Sequence, residues 1–205
     1  MARRLFLATA LLAAATAATA IAQTAPSAPL TRVRGTIASL QGNTLTVNSR
    51  TGDKLEIALK DPVTVVTVTK VELSSVAPGS FIGTATRTGA DGKQTAIEVL
   101  VFPEAMRGTG EGNYPWDLEP GSMMTNGTVK GAVTAASGRE LTIGFKDSSN
   151  TVYVPPNAPV VTFAPATRDD LKPGAKVFLA AAKDADGKLT AARVTVGKDG
   201  VAPPM

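Results

Sequence analysis

The segment Ala185-Asp186-Gly187-Lys188-Leu189-Thr190-Ala191-Ala192-Arg193-Val194-Thr195-Val196 echoes Ala90-Asp91-Gly92-Lys93-Gln94-Thr95-Ala96-Ile97-Glu98-Val99-Leu100-Val101. The shared positions are a turn signal (Asp-Gly) followed by small or β-branched residues at Ala96, Val99 and Val101 and at Ala191, Val194 and Val196, as expected of a hairpin strand. Working outward, Pro78-Gly79 answers Pro173-Gly174, and Val65-Val66-Thr67 answers Val160-Val161-Thr162. Leu45-Thr46-Val47 answers Leu141-Thr142-Ile143, Gly42 answers Gly138, and Val33-Arg34-Gly35 answers Val129-Lys130-Gly131. The spacing is 96 residues at the start of the unit and 95 after a one-residue slip. A register kept over two whole units marks a tandem duplication.

Each unit alternates short β-branched segments with Gly, Asp-Gly and Pro-Gly punctuation. Strands are expected near 31–39, 43–49, 53–59, 63–68, 80–88 and 94–103, and again near 127–136, 140–146, 150–155, 159–164, 175–183 and 188–197. A helical turn precedes each Pro-Gly, with cap-like spacing at Thr167-Arg168-Asp169-Asp170 and at Thr69-Lys70-Val71-Glu72. Leu45, Val47, Leu55, Ile57 and Leu59 share one face, while Thr44, Thr46, Lys54 and Glu56 share the other, so the sheet has a dry and a wet side. The expected fold class is all-β: two tandem small OB-like β-barrels related by the internal repeat and joined by an ordered loop, with a small sandwich as the alternative.

The motifs Val-x-Gly-x-Ile/Val, Gly-x-x-Leu-Thr-Val/Ile, Val-Val-Thr, Leu-Lys-Pro-Gly and Asp-Gly-Lys-x-x-Ala-x-x-Val resemble a bacterial exported family catalogued as domain of unknown function 5666. Val129 to Val196 carries the likeness best, and the first unit departs from it at Ser74-Ser75-Val76-Ala77. The resemblance implies an OB-like fold in the bacterial envelope and brings no activity with it.

The start of the chain fits export. Arg3 and Arg4 precede an uncharged run from Leu5 to Ala22 that ends in Ala20-Ile21-Ala22, the small-x-small pattern of a signal peptide cleaved after Ala22. The run is rich in Ala and Thr, so it is a poor permanent span, and no later segment is apolar enough for one in the mature protein. The expected location is therefore periplasmic or secreted. The mature 183 residues carry 19 basic and 17 acidic side chains, a balance too even for a phosphate-binding face. The resulting organisation is 1–22 signal peptide, 23–30 tether, 31–103 first barrel repeat, 104–126 connector, 127–198 second barrel repeat and 199–205 tail.

The sequence contains no Cys and no His, which excludes thiol chemistry, disulfides, His-based triads and the common zinc sites. Neither an enzyme nor a cofactor is expected. Gly108-Thr109-Gly110-Glu111-Gly112 lacks the Lys-Ser/Thr of a phosphate loop and reads as a turn. Nucleic acid is not an expected partner, since the outer face of strands two and three offers Tyr153 as its lone stacking ring.

The connector is unlike the rest. It holds the sole Trp (Trp116), Tyr114, and Met106, Met123 and Met124. Such residues suit an ordered loop packed on a barrel. Beside it, the first unit has Leu100 and Phe102 where the second has Thr195 and Gly197, an apolar strip that calls for a cover, most simply the connector or the other barrel. Leu100, Phe102, Tyr114 and Trp116 are therefore the candidate partner-binding residues of a binding or scaffolding protein that engages an envelope protein or the cell wall. The alternative is a soft-metal (copper) site built on Met106, Met123 and Met124.

Overall fold

The computed structural model describes residues 30–135 and 138–203. The expected signal peptide (1–22) and most of the expected tether (23–30) lie outside the described residues. The described chain is all-β with 3-10 turns and no α-helix, and contains a closed five-stranded barrel plus further strands. Among the described residues no helix is long and apolar enough to cross a membrane.

In chain order the strands are β1 (Leu30–Gln41), β2 (Thr44–Ser49), β3 (Lys54–Lys70), β4 (Phe81–Thr88), β5 (Gln94–Val101), β6 (Gly112–Pro115), β7 (Met123–Ala135), β8 (Gly138–Phe145), β9 (Ser148–Val154), β10 (Val160–Pro165), β11 (Lys176–Lys183) and β12 (Leu189–Val196). The expectation of one barrel per repeat does not describe how these strands pair. The barrel closes as β1-β2-β3-β12-β11-β1, with β3 and β12 parallel and every other pair antiparallel. Three of its strands come from the first repeat and two from the second. A second cycle of pairings, β7-β8-β9-β5-β4-β7, makes the reciprocal choice, and β10 continues the β9 side with a parallel pairing to β5. The limits 31–103 and 127–198 thus mark repeats along the chain, and the terminal hairpin of each repeat sits with the first three strands of the other.

The length of β3 explains the exchange. At about 3.3 Å per residue its 17 residues span roughly 55 Å, far more than one wall of a small barrel. Its last residues, Val66 to Lys70, pair antiparallel with β10, Val68 standing opposite Phe163, and beyond Thr67 the strand leaves the barrel. The chain then enters the second cycle. After the 3-10 turn Leu73–Ser75, Val76 is buried in the core of β4, β5, β7, β8 and β9, while Leu171, after the turn Arg168–Asp170, plugs the barrel of β1, β2, β3, β11 and β12. Both cores therefore mix side chains of the two repeats. A matched pair of bonds repeats the relation: Thr67 Oγ1 donates to the Val196 carbonyl at 2.9 Å, and Thr162 Oγ1 to the Val101 carbonyl at 2.8 Å.

Two details of the sequence reading need correction. First, Ile37 pairs with Val47 and Val129 with Ile143, each followed by a bulge, so Gly35-Thr36-Ile37 corresponds to Gly127-Thr128-Val129 and not to the Gly131 segment. The β7–β8 hairpin is longer at its tip by the pairs Thr134 with Arg139 and Ala135 with Gly138. Second, the capping box forms at Thr167 and Asp170, but Thr69 and Lys70 finish β3, and the N-cap of the first turn is Glu72 without a side-chain cap.

Gly35 and Gly127 are required by close approach. A Cβ on Gly35 would lie 2.1 Å from the Asn48 carbonyl oxygen, and one on Gly127 would lie 2.4 Å from that of Gly144. Gly35→Ala and Gly127→Ala are each expected to cost about 1–3 kcal/mol as overpacking changes. Because both cores are shared between the repeats, urea unfolding of either variant should remain one transition at a lower midpoint; two separated transitions would show that the halves are independent.

Candidate functional site

The connector is ordered. Glu104–Met106 forms a 3-10 turn, β6 pairs with the start of β7, and Met123 and Met124 belong to β7, not to a loop. Arg107 ties it to β4's approach by donating to the Gly79 carbonyl at 2.9 Å while bonding Glu104. Beyond β6, Ser122 Oγ closes the next bend with bonds to the Trp116 and Glu119 carbonyls.

This bend docks on the barrel. Asp117 accepts from Arg34 Nη2 at 2.9 Å and lies 3.9 Å from Arg32, and Arg50 donates to the Leu118 carbonyl at 2.7 Å and to that of Asp117. The Arg32 guanidinium sits 3.9 Å from the Trp116 ring centroid, a cation–π contact, and Tyr114 meets Trp116 edge-on at 6.0 Å. Partial burial pushes the Asp117 carboxyl up, but the Arg34 hydrogen bond and the charges of Arg34 and Arg32 outweigh it and hold the group below the usual range.

Under the connector, where the two cycles of strands meet at the β3–β10 ladder, lies a cavity of about 300 Å³. The barrel supplies Arg32 from β1, Phe178 and Ala180 from β11, and Arg193 and Thr195 from β12. Phe163 comes from β10, and Phe102 and Asn126 from the other side of the junction. Met106, Thr109, Gly110, Tyr114 and Trp116 of the connector form the remaining wall. Of the nine aromatic residues in the sequence five line this cavity, so the scarce rings are concentrated rather than scattered through the cores. No carboxylate lines it.

Arg193 is half-buried, its guanidinium 5.0 Å from the Phe163 ring centroid and its Nη2 3.6 Å from the Met106 sulfur. Burial lowers its pKa, and no carboxylate lies within ion-pair distance of it among the described residues. Asn126 Nδ2 donates to the Thr109 carbonyl and to Tyr114 Oη, at 3.2 and 3.3 Å. Asn126 Oδ1 and Trp116 Nε1 are buried without a protein partner, which costs about 1–3 kcal/mol for each such group.

Of the residues singled out from sequence, Phe102, Tyr114 and Trp116 are brought together at this cavity, and Met106 joins them. Leu100 is not. It is fully buried with Val68, Phe81, Phe102 and Val161, so it is covered by the chain itself and offers no surface to an outside partner. Neighbouring positions on one strand face opposite sides, so Met123 and Met124 diverge; Met124 is fully buried, and the Met106 sulfur faces the Arg193 cation. The three thioethers therefore do not converge on one point. Among the described residues no cluster of three metal-ligating acids exists either. Comparison of the chain with family models, curated proteins and solved structures finds no match.

Arg32, Phe163, Phe178 and Arg193 escaped the sequence reading because they are far apart along the chain. The one signal pointing to them was Thr195 standing where the first repeat has Leu100.

A carboxyl held below its unfolded value of about 3.9 contributes stability that is present above that value and lost as pH falls through its folded value. Asp117→Asn should cost less than about 1 kcal/mol at neutral pH, since the carboxylate is half-exposed, and should reduce the loss of stability below about pH 4. Thermal midpoints of both proteins from neutral pH to about pH 2.5 measure this; parallel curves would remove Asp117 from the account.

Proposed function

We propose that this protein is a non-enzymatic binding protein of the bacterial envelope, made of two OB-like barrels that exchange their terminal hairpins, and that it captures its ligand in the aromatic and arginine-lined cavity. The OB-like reading is supported by the order 1-2-3-5-4 within each cycle, with its third and last strands parallel and a turn plugging the base. The envelope setting rests on the signal-like run from Leu5 to Ala22 and on the family resemblance. A binding role, rather than catalysis, is favoured because the sequence has neither His nor Cys and the cavity has no carboxylate to act as base.

The observation that carries the proposal is the convergence of five rings from separated segments around one concave space at the junction of the two strand cycles. Ligand sites are concave, mainly apolar and supplied with a few polar groups, and they favour such junctions. A volume near the lower end of ligand pockets fits a small molecule better than a polymer. The covering of Leu100 also weakens docking of another protein through the apolar strip.

The neutral dye N-phenyl-1-naphthylamine should bind the mature protein with one-to-one stoichiometry and brighten. Ala180→Trp, which fills the cavity from an exposed strand position, should abolish the signal while leaving the thermal midpoint nearly unchanged. Undiminished dye binding by a folded Ala180→Trp variant would place the apolar site elsewhere.

A further inference from the structure

We infer that the cavity takes a small apolar monoanion, a carboxylate carried on an aromatic or aliphatic body, with the carboxylate on Arg193 and the body against Phe163, Phe178 and Trp116. This rests on the reading of the cavity as the ligand site. The two arginines that line it, Arg32 and Arg193, are not equivalent. Arg32 and Arg34 share Asp117, and both also lie over rings. Arg193 has a thioether as its hydrogen-bond acceptor, a weak one for a group with five donors. A guanidinium half-removed from water and short of an anion is relieved by a carboxylate that can pair with two of its N–H groups.

The connector adds a second donor to the same cavity. Tyr114 Oη accepts from Asn126, and its own proton has no acceptor among the described residues. Burial raises the Tyr114 pKa against the opposing effect of Arg32, which keeps the hydroxyl protonated and able to donate. Five rings line the same cavity, so the ligand needs an apolar body.

The duplication shows that the cationic character belongs to one side. Thr195 pairs with Val66 as Leu100 pairs with Val161, which makes Glu98 the counterpart of Arg193 and Leu100 the counterpart of Thr195. On the side of Glu98 and Leu100 both residues are buried; the positions have diverged into a filled junction and an open, basic one.

Calorimetric titration with 4-phenylbutyrate and 4-phenylbutan-1-ol, which share a body and differ at the head, tests the inference. The acid should bind about tenfold or more tightly than the alcohol. Arg193→Gln should weaken the acid by about that factor and leave the alcohol within about twofold, while Arg193→Lys keeps part of the preference. Equal binding of acid and alcohol, or equal weakening of both by Arg193→Gln, would overturn it, the second outcome assigning Arg193 to packing. If N-phenyl-1-naphthylamine binds the wild-type protein and the acid does not, the anion preference fails and the cavity remains a site; if neither binds, the cavity reading falls as well.

Discussion

The antiparallel ladder between β3 and β10, centred on Val68 opposite Phe163, is the constraint from which the rest of the structure follows. It lies where the two repeats run past each other, each on its way out of one set of strands and into the next. Once β3 has carried the chain beyond the barrel, the hairpin β4–β5 pairs beside β7 and β9, and by the same relation β11–β12 closes on β1 and β3. Each hydrophobic core is then completed by the other repeat. Ile37, Leu45 and Ile57 are buried with Leu179, Val194 and Val196, and Val99 with Ile143 and Val152. With no cysteine to brace either unit, this sharing is the main cohesion between them.

The same junction makes the cavity possible. Two exchanged units meet along the ladder with their outer faces side by side, and the cleft there must be filled or left concave. Around Leu100 and Phe102 it is filled, by Val68, Phe81 and Val161. Around Arg193 and Thr195 it is left open and walled by the connector. The connector is therefore more than a spacer. It holds the units through Asp117 and Arg107 and supplies Tyr114 and Trp116 to the cavity.

Much of this was legible in the residues. The alternation of Leu45, Val47, Ile57 and Leu59 disclosed the dry face, the Asp-Gly pairs disclosed the hairpins, and the contrast of Leu100 with Thr195 disclosed that the two repeats face different surroundings. What stayed hidden was non-local. Alternation states that a strand has a buried face but is silent on which repeat covers it, so an exchanged hairpin reads like an unexchanged one. The register of β1 against β7 misled because Val33-Arg34-Gly35 and Val129-Lys130-Gly131 look alike, whereas close packing singles out Gly35 and Gly127. Met106, Met123 and Met124 suggested a soft-metal site in the sequence, but β7 places Met123 and Met124 on opposite faces. Arg193 carried no local mark at all; its meaning comes from Met106 and Phe163, which approach it only in the folded chain.

The exchange of hairpins is tested most directly by severing the chain between Arg107 and Gly108 and producing residues 23–107 and 108–205 separately and together. Each segment alone lacks the strands that complete its core, so circular dichroism and amide proton dispersion should show each unfolded, and mixing should restore a folded one-to-one complex by light scattering. Two segments that fold separately as monomers and ignore each other when mixed would contradict the account.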